Sequence, residues 1–453
     1  MRLTDRPRID VERAEEESMS TLGIDLAVRA AHVATLTNDQ GEVIWSRRRF
    51  QSHPRDLAAL SAAAGPAPEL TVVMEPTRSA WVIVAAHFRA SGAKVVMVAP
   101  EQSSDLRRYY KKHTKNDRLD SFILSRVPLL HPEGLIEVSG LGPADPLRRA
   151  VRRRVRLVGE RIGCHQRIDA MLDLLGPAYN EVLGTQGTKT AAVVLERYGN
   201  PKSLCRLGLS RLTDLVVRTS GGHLGADYAA GVLDAAKEAI ELWHGGGLDF
   251  DELAWDLAQE IRIIGHLDLE ISRLDARIAE LYAAVDPKGI VRSAPGVGPI
   301  LSAGIIGRLG DVTRFANLAG IRSFTGIVPG VNQSGLAETR PGITKQGDPG
   351  LRRDLFYAAD MARHHDPQLA AKYHRLIVER RLHHYAAVCH VATTLVTRIA
   401  ACLRSGQHYV VRDVDGTPVT PVEARAIIAD RYLIPPEVRR RARVPDVKSE
   451  PTR

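Results

Sequence analysis

The chain is short of the residues that hold small extracellular folds together and of those that stack on bases. Its four cysteines, Cys164, Cys205, Cys389 and Cys402, are scattered over 453 residues without a CxxC pair. That spacing excludes a disulfide scaffold and a cysteine-rich zinc site, and it fits a reducing cytoplasm. Aromatic residues make up only 5%, too few for a single-strand binder built mainly on stacked rings. No apolar run approaches the ~18 residues of a membrane span, and the leader is charged where a signal peptide would be apolar, so no membrane partner is expected. The leader, residues 1–20, reads as disordered, with Met19 as an alternative start. Excess acid is also missing: 62 Lys and Arg face 53 Asp and Glu, for a net charge of +9, which favours a polyanionic partner without naming one. Hydrophobic residues at 44% and charged residues at 25% are ordinary globular usage, so a sizeable core can be buried. At roughly 100–200 residues per domain the length implies two to four domains.

From Leu22 the pattern is LGIDLAV, HVATLT, a turn at Asn38 to Gly41, and EVIWSRRRF, which reads as an antiparallel meander. A helix near 54–64, the strand TVVMEP, a helix over 80–90, the strand KVVMVAP and a helix from Glu101 follow. Strands alternating with helices after a meander predict a mixed-sheet α/β domain over 21–127. Residues 128–146 read as a loop-rich linker. A long helix over 147–175 carries Val151, Val155, Val158, Ile162, Ile168, Leu172 and Leu175 as apolar positions. Its other faces carry Arg148, Arg149, Arg152, Arg153, Arg154, Arg156, Arg161 and Arg167, opposed before Asp169 only by Glu160. Residues 253–281 place Leu253, Leu257, Ile261, Ile264, Leu267, Ile271, Leu274, Ile278 and Leu281 at steps of three or four, close to coiled-coil spacing. The two long helices of this 147–286 region can pair with each other or with another copy. A second compact region, 287–404, is Gly-rich and then helical, and 405–453 reads as a mobile basic tail.

Four acids stand out in the first domain. Asp25 interrupts an apolar strand, Glu75 ends a later strand, and Asp117 and Asp120 in NDRLD share one helical face. Adjacent first and fourth strands would gather all four carboxylates. Such a cluster repels itself unless cations neutralise it, and hard oxygen ligands select Mg²⁺ or Mn²⁺. Two ions so held can stabilise the attacking and leaving oxygens of a phosphodiester. The plainer reading has Asp25 ending a strand while Asp117 and Asp120 pair with Lys115 or Arg118 on a solvated face. The set as a whole favours metal, because a carboxylate inside an apolar strand is costly unless it serves a ligand. Lys112 and Lys115 beside it then suit phosphate contacts.

In the second region, Gly296 and Gly298 form a turn leading into an apolar helix, like one hairpin of a helix-hairpin-helix whose backbone N–H groups hold a phosphate. A plain helix start explains the same pattern. Further on, Ser334-Gly335 is followed by Arg340, Thr344, Lys345, Arg352 and Arg353, with glycine and proline keeping the stretch in loops until a helix begins near Pro349. A serine hydroxyl needs a base, cation or metal to become a nucleophile, and a cationic loop can hold a phosphate for attack. By itself a Ser-Gly pair is commonly a turn. His364, His365, His383, His384 and His390 have no ligand spacing and read as surface or core residues.

Asp25 in GIDLA, Glu75 in MEPT, the pair in KNDRLD, and the late series PGVG, FTGIVP, SG, GITKQGD and LRR together resemble the DEDD-type transposases of the insertion-sequence family "one-hundred-ten", described as bridge-RNA-guided serine recombinases. The resemblance covers about 21–127 and 289–374. It implies an RNase H-like (RuvC-like) first domain whose metal ligands are Asp25, Glu75, Asp117 and Asp120. It further implies a mostly helical transposase domain in which Ser334 attacks the scissile phosphate and becomes linked to DNA. Donor and target duplexes would be chosen by base pairing to a structured non-coding guide RNA, a logic shared with other RNA-guided systems. Family members act as dimers that pair into tetramers, with acids and serine supplied by different subunits, in the cytoplasm at the nucleoid. Where the family often has another small hydroxyl residue before its serine, this chain has Asn332-Gln333; the nearest alternative serine, Ser323, lies upstream.

Three other readings compete. A junction nuclease would use the acids alone, with water as nucleophile. A sugar-kinase or actin-like ATPase also begins with GIDLA and a meander, but its second Gly-rich phosphate loop is not found in this sequence. A non-catalytic RNA-binding protein would work through the arginine helix; its plainer reading is a solvated coil face, but eight arginines against one acid favour RNA or DNA contacts by Arg148, Arg149, Arg152, Arg153, Arg154 and Arg156.

Overall fold

The computed structural model describes residues 19–98, 102–103, 117–132, 135–138, 144–183, 188–328, 332–334, 337–339, 342–345 and 347–443. It divides into two compact units, Met1–Leu141 and Gly142–Arg453.

The first unit is a mixed sheet with helices on both faces. Strands β1 (Ser20–Asp25), β2 (His32–Thr37) and β3 (Val43–Phe50) form the antiparallel meander that the sequence pattern implies. Strands β4 (Leu70–Met74) and β5 (Lys94–Met97) run parallel to β1, in the order β3-β2-β1-β4-β5-β6. Leu22, Ile24, Val72, Met74 and Val95 bury one face against Leu57 and Leu60 of α1 (Pro54–Ala64) and Val84 and Phe88 of α2 (Ala80–Ala90). Val73 and Val96 point to the other face, against Ile123, Leu124 and Val127 of α3 (Asp117–Leu130). The stretch expected to be a linker from residue 128 is partly ordered instead. Pro128 falls in the last turn of α3, where its missing N–H leaves out one bond without breaking the helix, and the His131 N–H still donates to the Val127 carbonyl at 2.8 Å. Beyond it, β6 (Ile136–Glu137) adds an antiparallel edge to β5. Two residues are too few to show a strand periodicity.

The second unit is helical. Helix α4 (Ala144–Asp173) leads through α5 (Pro177–Leu183), α6 (Lys189–Tyr198), α7 (Pro201–Leu207), α8 (Leu209–Ser220) and α9 (Ala226–Leu242) to the long α10 (Phe250–Val285). Asp249 caps α10, its carboxylate accepting from the N–H groups of Asp251 and Glu252. The two long helices pair with each other within the chain. Ile168 and Leu172 share a core with Leu253, Leu257 and Ile261.

A second core joins Leu147, Val151 and Ile278 to α11 (Pro299–Leu309), α12 (Leu318–Thr325), α13 (Pro349–Ala362), α14 (Pro367–His374) and α15 (His384–Ser405). By length and composition α15 could cross a membrane, although no span-length apolar run is evident to the eye in the sequence. Its apolar side, including Val388, Val391, Leu395, Val396 and Ile399, is buried in this core, which accounts for its hydropathy. The region expected to be a mobile tail carries two helices after an irregular stretch over 406–420: α16 (Pro421–Arg431), opened by a Thr420–Glu423 capping box, and α17 (Pro436–Arg443). Residues 444–453 and the leader 1–18 lie outside the described residues.

Candidate functional site

The acidic site grows from a close approach of α3 to β1. A Cβ on Gly23 would stand 2.2 Å from the Ser121 carbonyl oxygen and 2.3 Å from the Ser125 nitrogen, so only glycine lets the helix backbone lie on the strand. Hydroxyls tie the same seam: Thr35 Oγ1 and Ser121 Oγ are 2.9 Å apart, and Thr37 donates to the Ser125 carbonyl at 3.3 Å. Side chains alternate along a strand, so Asp25, two residues past Gly23, belongs to the α3 face. Glu75, two residues past Val73, belongs to it too. Parallel pairing of Ile24 with Met74 brings the two acids to neighbouring strand ends at the same level. Ser103 donates to Glu75 Oε2 at 2.7 Å. Asp120 is buried on α3, one turn before Ile123 and Leu124, on the stripe that meets the sheet. Asp117 opens the same helix one turn earlier, and its side chain is outside the described residues.

The structure thus brings Asp25, Glu75 and Asp120 to one face of one sheet end. Their oxygens are the hard donor set that Mg²⁺ or Mn²⁺ takes, so the donor chemistry fits a divalent cation. Among the described residues no group of three or more His, Cys, Asp or Glu is drawn together closely enough to hold an ion. Asp117 is the remaining carboxylate of the expected set. Lys112 and Lys115 lie outside the described residues.

Ser334 ends β7 (Asn332–Ser334), which pairs with β8 (Ala337–Thr339), Ser334 facing Ala337 across a two-residue connection. The stretch expected to be all loop therefore carries a short hairpin, and the serine sits at its corner. After the hairpin the chain is pinned to the end of α12: the Thr344 N–H donates to the Val328 carbonyl at 2.9 Å and the Lys345 N–H to that of Gly326 at 3.1 Å. Lys345 is exposed and left-handed, with φ 55°. Arg340 lies outside the described residues. Arg352 donates to the Gly347 carbonyl at 3.0 Å, and Arg353 pairs with Asp354 at 2.9 Å.

Gly298 caps α11 with open space around it, as a phosphate-holding turn would require. Gly296 does not face open space. It has φ +74°, and a Cβ there would lie 2.5 Å from the Ala362 nitrogen on α13, so close packing is reason enough for this glycine.

The arginines of α4 divide into two groups. Arg154 pairs with Asp275 of α10, Arg161 with Asp268 at 2.6 Å, and Arg167 with Glu260 at 2.6 Å. The hydrogen bond from Arg167 holds the Glu260 carboxyl below its usual range. Arg148 and Arg149 both reach Asp145, and Arg152 reaches Asp348 at 2.8 Å. Arg153 and Arg156 are exposed and have no acidic partner among the described residues.

One cationic centre carries no motif. Arg308 on α11 is 7% exposed and binds Asp348 at 3.1 Å and Asp354 at 2.8 Å. Asp348 also caps α13, accepting from Gly350 and Leu351 N–H groups at 2.7 and 3.0 Å. Burial opposes its ionisation, but the hydrogen bonds from Arg152 and Leu351 and the charge of Arg308 hold its carboxyl below the usual range. The only sequence signal is an arginine inside the apolar run GIIGRL.

Comparison with known proteins agrees with this architecture. A DEDD-type transposase family model matches residues 22–177, the span holding all four acids. A model described as transposase of the IS116/IS110/IS902 family matches 288–374, the span holding Ser334. An insertion element IS110 protein of Streptomyces coelicolor is 25% identical over 391 residues, covering 86% of this chain and 95% of its own. An IS116 protein of Streptomyces clavuligerus is 24% identical, over 69% and 77%. An IS900 protein of Mycobacterium paratuberculosis is 23% identical, over 81% and 91%. The protein is a transposase, an enzyme of a mobile element that acts on DNA. It belongs to the IS110 family.

Proposed function

We propose that the chain recombines DNA site-specifically through a covalent phosphoserine, with Ser334 as nucleophile and Asp25, Glu75, Asp117 and Asp120 as ligands of Mg²⁺ or Mn²⁺ in an RNase H-like domain. The observation that carries this is the common placement of Asp25, Glu75 and Asp120 on the α3 face of the sheet. The strand order, with β4 and β5 parallel to the first strand of a meander, is compatible with that domain type. When bound, the cation would supply charge stabilisation to phosphodiester oxygens. The serine Oγ forms a bond to phosphorus as one bridging P–O bond breaks, and the leaving oxygen takes up a proton. The resulting ester conserves the bond for rejoining to a second strand.

Donor and target are selected by a structured guide RNA. Arg153 and Arg156, with Lys112, Lys115, Gly298, Arg340, Thr344, Lys345, Arg352 and Arg353, contribute backbone contacts to DNA or RNA. The working form is a homodimer that pairs into a tetramer.

Strand exchange between two plasmids tests the reading. Ser334→Ala is expected to abolish it, and Asp25→Ala or Glu75→Ala to lower it on the order of 10²–10³-fold with the fold intact. Full exchange by Ser334→Ala or Asp25→Ala would sink it.

A further inference from the structure

Apart from the acids and the serine, a surface pocket of about 280 Å³ opens where α12, α14 and α15 meet, lined by Arg322, Lys372, Thr393, Thr394, Thr397 and Arg398. Its lining contains three cations and three hydroxyls and no acid. Arg398 is already committed: it donates to Gln368 at 2.6 Å and to Tyr409 at 2.8 Å, and it pairs with the buried Asp366 at 3.3 Å. Lys372 is held by Thr394. Arg322 is exposed and makes no ion pair or side-chain hydrogen bond among the described residues. Burial, and the charges of Arg375, Arg398 and Arg322, hold the Lys372 ammonium below the usual lysine range. Like charges collected at a half-buried site are costly unless an anion joins them.

We infer that this pocket seats a backbone phosphate of duplex DNA, with Arg322 and Lys372 as its principal contacts. The free guanidinium presents a planar fork of donors suited to two phosphate oxygens, and the lysine has donors left beyond the one given to Thr394. The threonine hydroxyls donate back into their own helix, Thr393 to the His390 carbonyl and Thr397 to that of Thr393, so they border the site while the cations supply its donors. The choice of DNA rests on the activity of the family. A phosphate contact of this kind positions a duplex without reading its sequence.

The test is binding of the full chain to duplex DNA of arbitrary sequence across a salt series. Arg322→Gln and Lys372→Gln should each weaken binding about three- to tenfold and lower the slope of log affinity against log salt by about one. Arg322→Lys should keep most of the slope, and Arg211→Gln, an equal charge loss on an exposed turn of α8, should keep all of it. Melting temperatures compared with wild type confirm that each variant is folded; Arg322 lies at the surface, so its replacement spares the core. An unchanged slope in Arg322→Gln overturns the proposal. So does an equal fall in Arg211→Gln, or an effect confined to a structured RNA ligand. The readout is binding, so it stands whether or not Ser334 is the nucleophile.

Discussion

The sheet unit and the paired helices α4 and α10 treat concentrated charge in opposite ways. On the sheet unit, acids far apart in sequence fall on one face, Asp25 and the residue before Glu75 on paired strands β1 and β4 and Asp120 on the helix packed over them. On α4, arginines crowded together in sequence are dispersed among partners: α10 supplies acids to Arg154, Arg161 and Arg167, and Asp348 takes Arg152. A run of like charge along a helix therefore says little about the field it presents. A charge placed where strand alternation and burial forbid a solvated escape says more.

The contrast can be broken or sharpened by substitution. The largest stability effect is expected at Asp348, which caps α13 and joins Arg308 to Arg152. Asp348→Ala removes the cap and half of the support of a buried guanidinium, so it should cost about 3 kcal/mol in denaturant unfolding of the second unit. Its folded-state carboxyl is depressed, so the stability it adds is present above the unfolded value of about 4 and is lost as pH falls through the lower folded value. The Ala variant should show a flatter acid limb. Next, Gly23→Ala forces a methyl into the Ser121 and Ser125 backbone and should cost about 2–3 kcal/mol, with strand exchange falling alongside because α3 carries Asp120. The smallest effect is expected at the surface pair: Arg161→Gln should change stability by less than about 1 kcal/mol and leave the salt slope for nucleic acid unchanged. Arg153→Gln with Arg156→Gln should lower that slope by about one per lost contact. Equal slope changes for paired and unpaired arginines would erase the distinction drawn above.

Much of the sheet was legible because its signals are local. Period-two apolar runs, a turn at Asn38 to Gly41 and alternating helices lead to β1 through β5, and with β1 and β4 as neighbours the register follows. Asp25 stood out in the sequence because it interrupts an apolar run, and in the fold it is the last residue of β1. The partners of the α4 arginines were not legible, since Asp275, Asp268 and Glu260 lie some hundred residues away on α10 and only helix pairing selects them. β6 is too short to have a period. The ordered helices after residue 405 are polar outside, so composition hides their packing. The Arg322–Lys372 pocket needs three helices to meet before its charges become neighbours, and no spacing along the chain foretells it.

The central proposal is chemical, and the most direct measurement is to trap the reaction. The full chain is incubated with its element's DNA and Mg²⁺, denatured in mid-reaction, digested and mapped by mass spectrometry for a nucleotide ester. The expected result is an adduct on Ser334, absent from Ser334→Ala and dependent on the divalent ion. Strand transfer with no adduct, or an adduct on another residue, would contradict the phosphoserine route and leave water at the acid cluster as the nucleophile.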